Sequence, residues 1–224
     1  MKVKSVKYFY FGVLIADIVI RLMDASELDK FVKPLMMPVL LYYLIQKTSG
    51  RIYKQHLLLA AAIILAWIGD ILLLNQQQVF LPGGILAFLI TQSIYLYIFK
   101  ANTIGSFRSL LSNNILVSLI LSICYIAFLC VSVLLIEGNI KYAVIFYGAV
   151  VTTATWYSFV QNKLPDTQYL KIGMSLFLMS DALLASKIFF FTVPLAPMLI
   201  IGTYGLAQFF ITEGIVKYMD KPSY

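Results

Sequence analysis

Long apolar stretches separated by short polar segments make up almost the whole chain. Runs of about 18 or more apolar residues are typical of transmembrane helices, and these runs lack the strict alternation of membrane-barrel strands. The pattern predicts eight helices, at about residues 8–23, 26–46, 57–74, 79–99, 114–136, 142–161, 169–190 and 194–218. We therefore predict an all-α fold: a polytopic membrane protein in which a bundle of about eight transmembrane helices forms one domain, residues 1–224.

The composition agrees with a membrane protein. Of the 224 residues, 61% are hydrophobic and only 12% are charged, and the mean hydropathy is +0.89. A soluble domain of this size could not bury so much apolar surface. The basic segment Met1–Lys7 precedes an apolar run without a small-residue cleavage site, which favours a retained helix over a signal peptide. Cys124 and Cys130 share one apolar helix, where we expect small buried hydrophobes and no disulfide.

The formal charge of +7 is distributed unevenly between the predicted loops. Lysine and arginine accumulate on the cytoplasmic side of membrane proteins, so this charge does not indicate nucleic-acid binding. Of the 17 basic residues, 12 fall on the side of the N-terminus, and the other side holds Arg21, Lys30, Lys33, Lys141 and Lys187. Both termini are predicted to be cytoplasmic, and the lysine- and isoleucine-rich usage favours a bacterial inner membrane.

Asp70 and Asp181 each lie deep inside a long apolar stretch of a predicted membrane helix. Asp70 follows Leu57 by 13 residues in helix three, and Asp181 follows Tyr169 by 12 in helix seven. At 1.5 Å per residue, both lie about 18–20 Å from the cytoplasmic face. A charge at membrane depth is costly, so an acid there is a functional-site hypothesis by default. We interpret the chain as a scaffold that holds these two acids towards each other.

Two carboxyl groups in an apolar pocket can divide the work of acid and base. Desolvation and a neighbouring carboxylate both favour the protonated form of one group, which can then act as a general acid while the other activates water or stabilises a cation. Glycosidases use this division of labour. The alternative is a structural pair that joins helices, with Lys33 or Arg21 as a possible counter-charge. His56 is the only histidine, so neither a histidine-rich zinc site nor a serine–histidine nucleophile is expected.

Other charged residues near the first two helices allow two interpretations each. Asp17 and Arg21 are four residues apart, which favours either a self-compensating pair or a contribution of Asp17 to the site. Lys33 is either a lysine that extends to the membrane surface or a counter-charge for the acids. Pro34 and Pro38 are predicted to kink helix two, which Ser26–Asp29 opens as a capping box.

A set of short motifs in a fixed order resembles the lysoplasmalogenase family, also called YhhN-like membrane proteins. The motifs are Lys33-Pro34-Leu35-Met36-Met37-Pro38, Trp67-Ile68-Gly69-Asp70, Phe80 with Gly84 and Phe88, Gly173 with Phe177-Leu178-Met179-Ser180-Asp181, and Tyr204 with Ala207-Gln208. The resemblance implies eight membrane helices and hydrolysis of the vinyl ether bond of lysoplasmalogens. The products would be a fatty aldehyde and a glycerophospho head group.

The resemblance also implies roles for particular residues. Asp70 and Asp181 match the family's proposed catalytic aspartates, and we expect Lys33, Tyr204, Gln208 and Gln92 to contact substrate. Family members often have histidine where Gln92 stands, so Gln92 is not expected to be an obligate proton carrier. The reaction needs an acid, a carboxylate and a water, so no metal or cofactor is expected. The expected partners are a lysophospholipid substrate and membrane lipids.

Two other classes of function remain open at this stage. Intramembrane acids also mark proton relays, so a proton-coupled transporter or carrier is the main alternative. Outside helix two, the helices lack the Pro or Gly breaks at mid-span that transporters often use. A purely structural membrane subunit would leave the equal depth of the two acids unexplained.

The predicted topology can be tested with reporter fusions. Fusions at both ends should report a cytoplasmic location, because the basic residues are concentrated on the side of the termini. Fusions that place the two ends on opposite sides of the membrane would contradict an even number of spans.

Overall fold

The computed structural model describes residues 3–23, 26–48, 54–74, 78–161, 167–191 and 193–219. These residues contain no strand. Their α-helices are α1 (Val3–Leu22), α2 (Ser26–Thr48), α3 (Lys54–Leu74), α4 (Leu81–Ala101), α5 (Phe107–Asn113), α6 (Ile115–Leu135), α7 (Ile140–Val160), α8 (Thr167–Ala185) and α9 (Ala196–Met219). A 3₁₀ turn, Gln78–Phe80, precedes α4, and a π-helical turn, Ser186–Phe190, extends α8. The predicted all-α fold is confirmed.

Six helices in the described part of the chain are long and apolar enough to cross a membrane. They are α3, α4, α6, α7, α8 with its π-helical turn, and α9. The remaining two long helices, α1 and α2, have 20 and 23 residues. Both carry charged side chains within their length, including Asp17 in α1 and Lys33 in α2. The chain is therefore a polytopic integral membrane protein.

Several local predictions differ from the structure. The stretch 100–113, predicted to be a loop, contains α5, whose N-terminus is capped by the Ser106 hydroxyl accepting from the Ser109 amide. Cys124 and Cys130 are exposed, so the prediction that they are buried was wrong; they lie on α6, whose residues mostly face outwards. The side chains of Ser26 and Glu27 in the predicted capping box, the turn at 75–77 and the loop at 162–166 lie outside the described residues.

Seven helices form a closed ring in which consecutive members pack together. The order around the ring is α1, α2, α3, α4, α7, α8, α9 and back to α1. Helix α6 packs on the outside against α7, and only 11% of its most apolar stretch is buried, compared with 72% in α9. An apolar helix with so little buried surface suits contact with lipid. Helix α9 also packs against α2 and α3, so it is the element to which most of the ring is attached.

The backbones of α8 and α9 approach closely at Gly173. A Cβ atom there would lie 3.0 Å from the amide nitrogen of Ile211 and 3.2 Å from the carbonyl oxygen of Ala207. Small residues allow membrane helices to pack with their backbones in near contact. On the same pair of helices, the Ser180 hydroxyl donates to the Ile200 carbonyl at 3.0 Å. These contacts fix the turn of α8 that carries Asp181 against α9.

Helix α2 is joined to α3 at its two prolines. Pro38 has no amide hydrogen, so the carbonyl of Pro34, four residues earlier, loses its usual helical donor. The indole Nε1 of Trp67 on α3 donates to this carbonyl at 2.8 Å. Trp67 lies one helical turn before Asp70 on α3, and Lys33 is adjacent to Pro34 on α2. The bond between Trp67 and Pro34 therefore sets the register in which Lys33 meets Asp70.

A second polar cluster joins the C-terminal part of α2 to the C-terminal part of α9. The Tyr43 hydroxyl donates to Glu213 Oε2 at 2.6 Å, and Lys47 Nζ lies 2.6 Å from Glu213 Oε1. Because Glu213 follows Tyr204 by nine residues, about 13 Å along the helix, this cluster is separate from the acids of the bundle. It anchors the C-terminal end of α2, whereas Lys33 lies in the N-terminal half of that helix.

The bond between Trp67 and Pro34 predicts a difference between the two tryptophans. Trp67→Phe leaves the partly buried Pro34 carbonyl without a donor, and an unpaired polar group costs up to about 1–3 kcal/mol when fully buried. Trp156→Phe is the matched control, because it removes a 2.8 Å bond to the Ser118 hydroxyl, which keeps its own bond to Asn114. Thermal unfolding of the purified variants should show the larger loss for Trp67→Phe. Equal losses would contradict a role of this bond in holding α2.

Candidate active site

Asp70 on α3 is contacted by side chains from two other helices, α2 and α9. Its side chain is 3% exposed, with Lys33 Nζ from α2 3.4 Å from Oδ1. The hydroxyl of Tyr204 on α9 donates to Oδ2 at 2.8 Å. A buried charge is tolerated when it is paired and its oxygens are hydrogen-bonded. Both oxygens of Asp70 therefore have a partner, and one partner is a cation.

Arg21 sits beside this pair and is occupied by other acids. Its Nε lies 3.1 Å from Asp17 Oδ1 on the same helix, and its Nη2 bonds Asp29 on α2. The Asp17–Arg21 spacing thus gives the intrahelical pair that is one of the two interpretations from sequence. Arg21 also joins α1 to α2 at the end of the bundle that holds Lys33.

An aromatic cluster lies beneath Asp70 and orients Tyr204. The rings of Phe88, Phe177 and Tyr204 meet edge to face, with centroids 5.6–6.4 Å apart. This geometry is favourable between aromatic rings. Gly69 permits it, since a Cβ atom there would lie 2.8 Å from the Phe88 ring. The residue before Asp70 is therefore small because the Phe88 ring packs directly on the α3 backbone.

Asp181 has a different environment from Asp70. Its Oδ2 accepts a 2.6 Å hydrogen bond from the hydroxyl of Tyr147 on α7. Within the described residues Asp181 has no ion pair, and its only polar partner is this neutral phenol. The two acids thus differ in kind: Asp70 faces an ammonium group, and Asp181 does not.

Both acids line one polar cavity of about 200 Å³. Helix α9 packs against both α3 and α8, and its residue Tyr204 lies in the wall between them. The charged side chains around this cavity come from four helices and the π-helical turn: Arg21, Asp29, Lys33, Asp70, Asp181 and Lys187. The structure therefore brings together Asp70, Asp181, Lys33 and Tyr204 from the set predicted by sequence.

A larger apolar cavity of about 500 Å³ adjoins the polar one. It lies among α4, α6, α7 and α8, and most of its lining is aliphatic and aromatic. The two cavities share Leu73, Phe88, Asp181 and Leu184 as lining residues. Asp181 thus lies at the boundary between the polar and the apolar cavity, whereas Asp70 lines the polar cavity and not the apolar one.

Gln208 and Gln92 lie behind these cavities and line neither of them. Gln208 is fully buried; its Oε1 accepts from Tyr95 at 2.7 Å and its Nε2 lies 3.4 Å from the Tyr204 hydroxyl. Gln92 is also fully buried, beside the Tyr147 hydroxyl, and neither atom of its amide has a hydrogen-bond partner among the described residues. Each glutamine thus backs one of the two tyrosines that contact the acids.

Sequence reasoning missed Tyr147 and Lys187 as site residues. In the sequence, Tyr147 is a tyrosine in an apolar helix, and many membrane helices contain such a residue, so nothing distinguished it as part of a site. Lys187 was assigned to the outer side without a role. Among the described residues, no group of three or more His, Cys, Asp and Glu side chains is placed to hold a metal ion.

Comparisons with known proteins indicate the family to which this chain belongs. The model of the YhhN family matches residues 28–215, which include every residue of the polar cavity except Arg21. A curated relative, lysoplasmalogenase TMEM86A from Bos taurus, is 28% identical over 161 residues. The alignment covers 69% of this chain and 63% of that relative, so the chain matches less than two thirds of the relative's length. No solved structure matches significantly. Because the family model covers most of the chain, this protein belongs to the YhhN family.

Proposed function

We propose that this protein is a membrane hydrolase that cleaves the vinyl ether bond of lysoplasmalogen-type lipids, giving a fatty aldehyde and a glycerophospho head group. The observation that carries the proposal is the boundary at Asp181 between the charged and the apolar cavity. The YhhN family match and the bovine lysoplasmalogenase support the same reaction class.

The two cavities suit the two ends of such a lipid. An alkenyl chain would occupy the apolar cavity, where its burial is favourable by about 25 cal/mol per Å² of apolar surface. The head group would occupy the cavity with the charged side chains. The vinyl ether connects these two parts of the molecule, so it would lie at the shared wall, next to Asp181. Ligand sites commonly combine a mostly apolar lining with a few polar groups that fix orientation.

The contacts of the two acids support a division of roles between them. Asp70 faces the Lys33 ammonium and accepts from Tyr204, two contacts that partly offset the cost of burying its carboxylate form. Asp181 borders the apolar cavity and has no cation beside it among the described residues, so a carboxylate there would be buried without a counter-charge. We assign Asp181 as the proton donor and Asp70 as the carboxylate that activates water. Tyr147 and Tyr204 are positioning residues, because each holds one oxygen of an acid and leaves the other for chemistry or charge pairing.

The proposed reaction returns both acids to their starting states. Asp181 protonates the vinyl carbon β to oxygen, which produces an oxocarbenium ion. Water adds to its carbon and transfers a proton to Asp70, giving a hemiacetal. The hemiacetal then collapses: its hydroxyl proton goes to Asp181, and Asp70 protonates the departing glycerol oxygen. Aldehyde and alcohol leave, and the carboxylate again stands opposite Lys33.

A direct assay tests the proposal against the transporter alternative. Purified protein incubated with lysoplasmalogen should release the aldehyde and the glycerophospho head group in equal amounts, as measured by mass spectrometry. The same preparation in vesicles should give no proton flux coupled to a solute. Flux without lipid cleavage would overturn the hydrolase proposal in favour of a carrier.

Asp70 and Asp181 should act as one unit in kinetics. Asp70→Asn and Asp181→Asn keep the side-chain shape, but asparagine can neither donate a carboxylic proton nor carry a negative charge. Since a positioned acid or base contributes about 10²–10⁴-fold to rate, each variant should lose a factor of that size in kcat. The double variant should be little slower than the slower single one, because residues that act together give non-additive losses.

Asp29→Asn is a matched control for the pair, because Asp29 lines the same cavity but bonds Arg21 and not the proposed reacting groups. Its kcat should fall much less than that of either catalytic variant. Unfolding curves should show that all variants are folded. Folded Asp70→Asn or Asp181→Asn with near-native turnover would end the catalytic assignment.

Lys33 should act through the charge of Asp70. Lys33→Met removes the ammonium group 3.4 Å from Asp70, which favours a protonated Asp70 that cannot accept a proton from water. We expect kcat to fall by at least about tenfold, a part of the general-base contribution, with a smaller change in KM. Lys33→Arg keeps the positive charge and should retain more activity. Native kinetics in Lys33→Met would instead support a lysine that only extends to the membrane surface.

A further inference from the structure

Among the described residues, three cations border the polar cavity, and two of them already have acidic partners. Arg21 bonds Asp17 and Asp29, and Lys33 faces Asp70. The third, Lys187, has no ion pair within the described residues, although Asp29 is near enough to influence it. The carboxylates of Asp17, Asp29 and Asp70 thus pair with Arg21 and Lys33. The ammonium group of Lys187 is the one best placed to receive an anion that enters the cavity.

The π-helical turn Ser186–Phe190 gives Lys187 its place at this cavity. In this turn the Phe191 amide donates to the Ser186 carbonyl, five residues back, at 2.9 Å. An extra residue per turn changes the direction in which side chains leave the helix, and such turns are frequent at functional sites. The Ser186 hydroxyl bonds the Ala182 carbonyl at 2.8 Å, which satisfies a backbone group next to the turn. The helix therefore departs from α geometry where it presents Lys187.

The separation between Asp181 and Lys187 suits a phosphate attached through glycerol. Lys187 follows Asp181 by six positions, about 9 Å along a helix axis. In a lysoplasmalogen, six bonds separate the vinyl ether carbon from phosphorus, and an extended chain of six bonds spans roughly 7 Å. The flexible lysine side chain covers the difference. A lipid with its vinyl ether at Asp181 would bring its phosphate within reach of Lys187.

We propose that Lys187, presented by the π-helical turn, binds the phosphate of a lysophospholipid in the polar cavity. This site rests on the proposed function for the orientation of the lipid, with its chain in the apolar cavity. It gives Lys187 the contact to phosphate and leaves Lys33 as the counter-charge of Asp70. The preferred substrates are thus phosphate-bearing lipids, in preference to neutral alkenyl glycerols.

Binding of lipids that cannot be cleaved tests this site without depending on hydrolysis. Two probes differ only in the anion: a 1-O-alkyl lysophosphocholine and a 1-O-alkyl glycerol with the same chain. The dissociation constant of each is measured by thermal stabilisation of the full chain in detergent. Lys187→Gln should weaken binding of the phospholipid by at least about tenfold, the usual effect of losing one charge-assisted hydrogen bond. Binding of the alkyl glycerol should be unchanged.

Two further variants separate a phosphate contact from a general effect of charge. Lys187→Arg keeps the positive charge and should restore most of the phospholipid affinity. Lys141→Gln is the matched control, because Lys141 is predicted to face the same side of the membrane, packs over the Tyr142 ring and lines neither cavity. It should leave both affinities unchanged.

The other outcomes overturn the site in distinguishable ways. Equal weakening of both probes by Lys187→Gln would make Lys187 a structural residue, and no weakening of either would make it an ordinary surface lysine. Stabilisation by inorganic phosphate alone, without the phospholipid, would overturn the lipid as the source of the anion. A native protein that binds the phospholipid through Lys187 but cleaves no lysoplasmalogen would refute the proposed hydrolysis and keep this site.

Discussion

The burial of the Asp70 carboxylate is the constraint on which the arrangement of the helices depends. Removing such a group from water costs several kcal/mol, and only a cation and hydrogen-bond donors inside the bundle can offset this cost. Lys33 and Tyr204 supply them from α2 and α9. Helix α2 must therefore reach α3 with Lys33 on the inner face, and α9 must cross the bundle at the same level.

The two prolines of α2 and the central position of α9 fit this requirement. Pro38 frees the Pro34 carbonyl, and Trp67 binds it in the register that leaves Lys33 opposite Asp70. On the other side, Tyr204 is held by Gln208, which is held by Tyr95 on α4. A chain of polar contacts thus links α2, α3, α9 and α4 through one carboxylate. Asp181 lies outside this chain of contacts, and within the part of the chain that the structure describes it bonds only Tyr147.

The features that sequence reasoning predicted are those with a strong local signal. Apolar runs predicted the long helices, and the acids Asp70 and Asp181 were conspicuous because charge is rare at membrane depth. The short helix α5 and the π-helical turn had no such signal. No Pro or Gly marks residues 186–190, and the turn depends on hydrogen bonds that form only in the folded bundle. The packing of α4 against α7 also joins elements far apart in the chain, which helix periodicity cannot predict.

The same reasoning explains why the two acids could not be told apart before their partners were known. From sequence, each is an aspartate after a small residue in an apolar helix, and their computed depths agree. The difference arises from residues distant in the chain: a lysine on α2 for Asp70 and a tyrosine on α7 for Asp181. Under the proposed function, chemistry requires this asymmetry, since an acid and a carboxylate must coexist in one cavity. The wall shared by the polar and the apolar cavity provides this asymmetry. An amphiphilic substrate would fill both cavities and so limit the entry of water to the place where they meet.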